Sequence, residues 1–252
     1  MRKPFHQRRA VRASGRNDIL FSLAAIGGIL ALGFCGSAQA QDAGNRGWSV
    51  SGNAAVASDY VFRGVSQTEE DFAVSAGVDA TNGSVYLGAW ASNVSYAGDG
   101  DTDAELDLYG GFRPQVGDWT LDFGVVGYLY LEEPEGSDYD YVELKAGASR
   151  PVGPATVSVT GYWSPDFFGA SEDEAFYLET AASMSPADRW TVSGAVGRQW
   201  VSSDFDYTTW NLGAAYQLTD RLALDLRYYD TDAHDFGSVY GSRAVASLKA
   251  TF

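Results

Sequence analysis

The sequence has a single cysteine, Cys35, and it lies within the first forty residues. Residues 1–40 have the form of a secretory signal peptide: a basic start, an apolar run from Ile19 to Cys35, and the small-residue site Ala38-Gln39-Ala40. An uncleaved membrane anchor and a lipoprotein signal at Cys35 are the alternatives. Cleavage near Ala40 leaves a mature chain without cysteine, which excludes disulfides, thiolate metal sites and cysteine catalysis.

Basic residues are scarce as well, with 17 Lys and Arg against 33 Asp and Glu. Removing residues 1–40 takes away six basic residues and one acidic residue, so the mature chain has 11 against 32, a net charge of −21. Such an anionic chain binds nucleic acid poorly, and we expect no nucleic-acid partner. Beyond residue 40 no apolar run is long enough for a membrane-spanning helix, and residues 41–252 are expected to form one domain.

What the mature chain has is alternation of apolar and small polar residues from Trp48 to Phe252. Successive side chains of a strand point to opposite faces, so this pattern suits strands with lipid on one side and water on the other. We predict an all-β, transmembrane antiparallel β-barrel of about 12 strands. The predicted strands are 48–60, 72–81, 85–94, 103–113, 119–130, 140–149, 155–163, 175–184, 190–200, 207–218, 222–229 and 244–252.

The predicted connections alternate between short turns and longer acidic loops, which is typical of barrels with periplasmic turns and extracellular loops. The short turns are centred on Asn82-Gly83, Gly117-Asp118, residues 151–154, residues 186–188 and Thr219-Asp220. Two aromatic girdles are predicted, one from Trp48, Trp119 and Trp190 and one from Tyr60, Tyr130, Trp163 and Trp200. A soluble β-sandwich is the alternative for these aromatic positions.

Three segments resemble a known family: Ser58-Asp59-Tyr60-Val61-Phe62-Arg63-Gly64-Val65-Ser66-Gln67-Thr68, then residues 85–94 (VYLGAWASNV), then residues 105–111 (ELDLYGG). They are similar to the TorF-type porins, also described as conserved hypothetical outer-membrane proteins. Ser75-Ala76-Gly77-Val78-Asp79 departs from the Gln-Gly-Gly-like run common there. The resemblance implies a place in the bacterial outer membrane, with its lipid and lipopolysaccharide, and a channel class without a defined solute. Phe252 resembles the terminal signal that the outer-membrane assembly machinery reads.

The charged residues on the predicted inward face are the candidate pore lining. Eight acids and four bases give this face a net charge of about −4, which favours cations in a narrow or partly plugged pore. The alternative is that these groups pair across neighbouring strands and only fill the interior. The predicted lining residues are Asp59, Asp79, Glu105, Asp107, Arg113, Asp122, Glu143, Lys145, Glu179, Asp225, Arg227 and Lys249.

We therefore predict a porin-like channel for passive diffusion of small polar solutes or ions, with cation preference, no cofactor and no catalytic residue. A closed barrel acting as an adhesin or envelope-integrity protein is the alternative, and inward-folded loops with paired interior charges would distinguish it. A hydrolase would rest on His234 alone, the only histidine of the mature chain, beside Asp232 and Asp235. Residues 99–103 lack the glycine and glutamate of a calcium-binding EF-hand loop, and no metal site is predicted.

Overall fold

The structure is a computed structural model that describes residues 47–99, 102–169, 174–201 and 204–252. The predicted signal peptide and its cleavage site lie outside the described residues. No helix in the described ranges is both long and apolar enough to cross a membrane. Two short 3-10 helices, His234–Phe236 and Ser238–Tyr240, lie in the loop before the last strand.

Twelve long strands make up the described chain, as the alternation predicted. Their ends agree with the predicted ends to within three residues, and the first strand shows the difference most clearly because it stops at Ala57 instead of Tyr60. The strands are β1 Ser49–Ala57, β2 Ala73–Asn82, β3 Val85–Asn93, β4 Ala104–Phe112, β5 Trp119–Leu131, β6 Tyr141–Val152, β7 Ala155–Ser164, β8 Ala175–Ala187, β9 Trp190–Trp200, β10 Tyr207–Thr219, β11 Leu222–Thr231 and β12 Arg243–Thr251.

Every strand pairs antiparallel with its neighbours in sequence, and the sheet closes on itself. β1 pairs with β2 on one side and with β12 on the other, where Asn53 lies opposite Thr251 and Ala57 opposite Ser247. A pairing between β4 and β5 completes the ring. The fold is a closed, 12-stranded antiparallel β-barrel, so no long strand has an unpaired edge.

One end of the barrel, which we call the turn end, carries the short turns, the start of β1 and the end of β12. Gly83 and Gly153 follow the last residues of β2 and β6, and Gly117 follows Val116, which pairs with Trp119 at the start of β5; their φ values are 60°, 60° and 63°. Glycine adopts this left-handed conformation without steric cost, so these turns reverse the chain in very few residues. The opposite end, which we call the loop end, carries the longer acidic connections.

The two faces of the wall differ as the alternation predicts. On β11, Leu226 is 58% exposed, whereas its neighbour Asp225 is 1% exposed. The same contrast runs around the barrel and leaves a belt of exposed apolar side chains on the outer face. Such a continuous apolar surface is larger than soluble proteins expose. Its members include Val56, Val74, Val78, Leu87, Leu108, Phe123, Val125, Leu144, Val159, Leu178, Val196, Leu212, Leu224, Leu226 and Leu248.

The aromatic girdles are confirmed at some positions and wrong at two. Trp48, Trp119 and Trp190 are exposed at the turn end, and Trp163 and Trp200 at the loop end. Tyr60 and Tyr130, which were assigned to the loop-end girdle, are instead buried inside the barrel. Tyr60 lies beyond the end of β1, in a loop that turns inward, and Tyr130 has the inward phase of β5.

The loop half of the interior is densely packed. Its core is rich in tyrosine and includes Tyr60, Trp90, Tyr128, Tyr130 and Tyr141. Tyr128 and Tyr141 stack face to face with ring centroids 4.3 Å apart. These side chains fill space that twelve strands would otherwise leave open to water, since barrel diameter grows with strand number.

Candidate functional site

All twelve predicted lining residues are buried or half-buried, on inward positions of the strands or just beyond strand ends. They are not spread as an open ring. They form separate polar groups along the barrel axis, and one of these groups is completed by a loop that folds into the interior.

That loop, residues 58–72, connects β1 to β2; we call it the inward loop. It contains a small hairpin in which Val61–Phe62 pairs with Val65–Ser66. Arg63 and Gly64 form the hairpin tip, with φ values of 48° and 86°. The tip fits closely in the interior, since a Cβ atom at Gly64 would lie 2.8 Å from the Thr231 methyl group. The inward loop therefore constricts the loop half of the barrel.

Arg63 anchors the tip to the far wall. Its guanidinium group donates to Glu143 on β6 at 2.6 Å and to Gln199 on β9 at 2.9 Å. It also lies 4.4 Å from the ring centre of Tyr177 and 5.0 Å from that of Tyr162. Because the ion pair is buried, the attraction between the guanidinium group and the two aromatic rings adds to its stability. Arg63 thus connects the inward loop to four distant strands. It contacts β6 through Glu143, β9 through Gln199, and β7 and β8 through the rings of Tyr162 and Tyr177.

Asp59 holds the base of the inward loop. It was predicted on the first strand, but it lies beyond the end of β1 and accepts hydrogen bonds from Ser66 at 2.7 Å and Thr68 at 2.9 Å. Its second carboxylate oxygen accepts from Arg243 on β12 at 3.0 Å. Asp59 therefore joins both sides of the loop to the last strand and is occupied by these partners.

Asp122 is the centre of a second group, nearer the turn end. It accepts hydrogen bonds from Lys145 at 2.7 Å, from Arg113 at 3.2 Å and from the Tyr86 hydroxyl at 2.7 Å. Arg113 also lies over the Tyr86 ring, 4.2 Å from its centre. One carboxylate facing two cations gives this group a net positive charge, although the predicted inward face as a whole is acidic.

Four further predicted charges, on β2, β8 and β11, also have hydrogen-bond partners. On β11, Arg227 donates to Asp225 at 3.3 Å and to Asn211 of β10 at 2.7 Å. Glu179 accepts from the Tyr177 hydroxyl at 2.9 Å. On β2, Asp79 accepts from the Tyr109 hydroxyl at 2.7 Å. The half-buried Lys249 lies on β12, across β1 from Asp79.

The sequence did not predict that two further basic residues, Arg63 and Arg243, lie in the interior. Both were assigned to loop segments, because alternation identifies strands and says nothing about a loop that re-enters the barrel. With them the interior has six bases against eight acids, so the net charge becomes −2 in place of −4. The two residues between Val61-Phe62 and Val65-Ser66 are Arg-Gly, which is not one of the pairs typical of two-residue hairpins, so the sequence did not predict the hairpin.

Aromatic side chains cover the inward loop from the loop end. Phe168 stacks on Tyr139 with ring centroids 4.4 Å apart, and its edge contacts Tyr96 and Tyr130. Burial raises the pKa of Tyr96 above its ordinary value, and the nearby Glu105 raises it further. The Tyr96 hydroxyl therefore stays protonated and donates to Gln67 of the inward loop at 3.1 Å.

His234, the histidine considered for hydrolysis, lies in the exposed last loop. Its Nε2 atom is 2.7 Å from Asp230 at the end of β11, and not paired with Asp232 or Asp235 as their sequence proximity suggested. Its side chain is 55% exposed, whereas the inward groups described above are buried or half-buried.

The barrel is similar in fold to solved outer-membrane porins. The KdgM porin aligns over 80% of this chain and 99% of its own, with a TM-score of 0.58 and 6% identity. The same porin in complex with disordered oligogalacturonate gives a TM-score of 0.57, 6% identity and coverage of 81% and 99%. The NanC porin gives 0.52, 8% identity and coverage of 81% and 98%. The chain is thus a porin-like β-barrel in fold.

Within that class, the chain belongs to the Gcw_chp family, a bacterial family of unknown function whose model matches residues 41–252. No curated protein matches the chain. The resemblance of residues 58–111 to the TorF-type porins stays a prediction.

Proposed function

We propose that the protein is an outer-membrane channel through which small ions and polar solutes diffuse, narrowed by the inward loop and selective for cations. The observation that carries the proposal is the closed barrel with an apolar outer belt and a polar, charged interior. An apolar belt is stable in lipid, whereas charged groups are tolerated there only on the inward face. The fold shared with KdgM and NanC porins supports the same function.

The charge pattern supports cation preference. The interior has a net charge of −2 by residue count, and the loop end carries many further acidic side chains. Acids at a mouth raise the local cation concentration within a Debye length, about 8 Å at physiological salt. By the usual orientation of such barrels the turn end is periplasmic and the loop end extracellular.

The same orientation places Phe252 at the periplasmic edge. Its side chain is 71% exposed, while its backbone pairs with Gly52 of β1 at 2.8 Å and 3.0 Å. We include in the proposal that the assembly machinery reads this terminal ring, and that outer-membrane lipid and lipopolysaccharide surround the mature barrel.

Single-channel recording in a planar bilayer under a salt gradient tests the function. We expect discrete current steps smaller than those of an open barrel of this size, with a reversal potential of cation sign. Glu179→Gln removes an inward acid and should reduce the cation preference, whereas Asp188→Asn removes an exposed acid at the turn end and should leave it unchanged. A reversal potential of anion sign would contradict the charge assignment, although the channel itself would stand.

A closed structural barrel is a second candidate, because a specific observation favours it. The inward loop and its aromatic cover leave the loop half dry, and most interior charges are paired. A folded wild-type barrel that never conducts would support this candidate over the channel.

A further inference from the structure

Two carboxyl groups of β4 lie side by side against the inward loop. Glu105 and Asp107 are only 2% and 1% exposed. The Glu105 carboxyl accepts from the Tyr60 hydroxyl at 3.1 Å and contacts the Asp107 carboxyl and the Tyr130 hydroxyl. Within the described part of the chain, no hydroxyl, amide or cationic group donates to either carboxylate oxygen of Asp107, whose polar neighbour is the Glu105 carboxyl.

The charge of this pair is not balanced by the protein. Burying a carboxylate without a partner is costly, and two contacting carboxylates cannot both ionise without a positive charge between them. None of the ion pairs among the described residues includes Glu105 or Asp107. The nearby Arg63 forms its ion pair with Glu143. A bound cation would supply the missing charge.

We propose that Glu105 and Asp107, with the phenol oxygens of Tyr60 and Tyr130, bind one divalent cation of the calcium class. Two carboxylates balance a charge of two, and carboxylate and neutral oxygens are the donors that hard cations prefer. If both carboxylates bind in bidentate fashion, the four side chains offer about six oxygens, the lower limit for calcium. Magnesium, which keeps its water shell, fits a dry site poorly.

The proposed site differs from a dedicated metal centre. No group of three or more His, Cys, Asp or Glu side chains in the described ranges is placed to hold a metal. We therefore expect weak binding, with a dissociation constant of about 10⁻⁴–10⁻³ M, as in extracellular calcium modules. Because Tyr60 belongs to the inward loop, the cation would fasten that loop to β4. The site is inferred from the buried pair and does not depend on conduction.

Terbium(III), a calcium substitute excited through nearby aromatic rings, provides the direct test. Trp90 lies opposite Asp107 in the sheet, and its ring is 5.3 Å from that of Tyr60. The mature barrel, refolded in detergent micelles, should show saturable sensitised emission that calcium displaces. Asp107→Asn should weaken this binding by about tenfold or more, because affinity depends on the number of charged ligands.

Asp79→Asn is the matched control, since Asp79 is an inward acid on a different strand, β2, and already accepts a hydrogen bond from the Tyr109 hydroxyl. Emission kept in Asp79→Asn and lost in Asp107→Asn supports the site. Equal emission from the wild type, Asp79→Asn and Asp107→Asn would mean that terbium binds to the loop acids, and it would overturn the proposed site. Absence of saturable emission in the wild type also overturns the proposed site. The remaining explanation for the buried pair is then a proton shared between the two carboxyl groups. Glu105→Gln repeats the test if Asp107→Asn fails to fold. Bilayer recording tests the proposed channel function independently of this site.

Discussion

Inward glycines let large tyrosines lie flat against the barrel wall. A Cβ atom at Gly88 would lie 2.5 Å from the Tyr109 ring, and one at Gly124 would lie 2.7 Å from the Tyr86 hydroxyl. These close contacts orient the hydroxyl groups toward Asp79 and Asp122, which accept their hydrogen bonds. At the residue scale, the absence of a side chain thus positions the charged groups of the interior.

Gly111→Ala tests this packing. The new Cβ would overlap the carbonyl oxygen of Phe123 and lie 2.5 Å from the Tyr86 hydroxyl, so we expect a loss of about 1–3 kcal/mol in unfolding free energy. Urea unfolding of the refolded barrel measures it. Gly127→Ala is the control, because its nearest neighbour is 3.9 Å away. Equal stability of the two variants would contradict the packing argument.

Asp59 and Arg63 show how far residue types predict contacts. Charge and phase predicted that Asp59 faces the interior, but its partners Ser66, Thr68 and Arg243 could not be derived from alternation. Arg63 was read as a loop residue because its environment comes from strands at positions 143 and 199, far away in sequence. Only the closed barrel brings these groups within hydrogen-bonding distance.

The inward loop is the element that decides how open the barrel is. Its hairpin is held at the base by Asp59 and at the tip by Arg63, whose ion pair with Glu143 has side chains only 1% and 2% exposed. Breaking such a pair leaves an uncompensated buried charge, whereas replacing both partners avoids that cost. The element therefore has two separable functions, stabilising the fold and narrowing the lumen.

Arg63→Ala should destabilise the barrel by about 3–5 kcal/mol, because it removes the cationic partner of the buried Glu143 carboxylate. The double variant Arg63→Ala with Glu143→Gln should recover much of this stability and still lack the anchored tip. We expect larger single-channel conductance from the double variant than from the wild type. Arg189→Ala, at the exposed turn end, is the control for loss of an arginine. Conductance unchanged from the wild type would show that the loop does not narrow the path.

Across the whole molecule, the apolar belt and the closed sheet define where the barrel is stable. Leu226 lies in the belt with 58% of its side chain exposed, on the strand that carries Asp225 and Arg227 inward. In water such a belt promotes aggregation, while in a bilayer it is the contact surface.

Leu226→Arg tests the membrane assignment. An arginine facing lipid near the midplane costs about 2–4 kcal/mol, falling to about 0–1 kcal/mol near the interface. We expect that loss for Leu226→Arg and little change for Ala187→Arg at the turn end, measured by unfolding from lipid vesicles. A Leu226→Arg barrel as stable as the wild type would argue against lipid around this strand.

The sequence by itself determined the strand number, the strand ends to within a few residues, and the inward or outward phase of many wall positions. These properties follow from period-two alternation and from turn glycines, which are local. Tertiary structure alone decided that the loop after β1 enters the barrel, that Tyr60 and Tyr130 are interior, and that most interior charges are paired. Those outcomes depend on closure of the sheet, which brings residues from opposite walls together, and no local pattern encodes that distance.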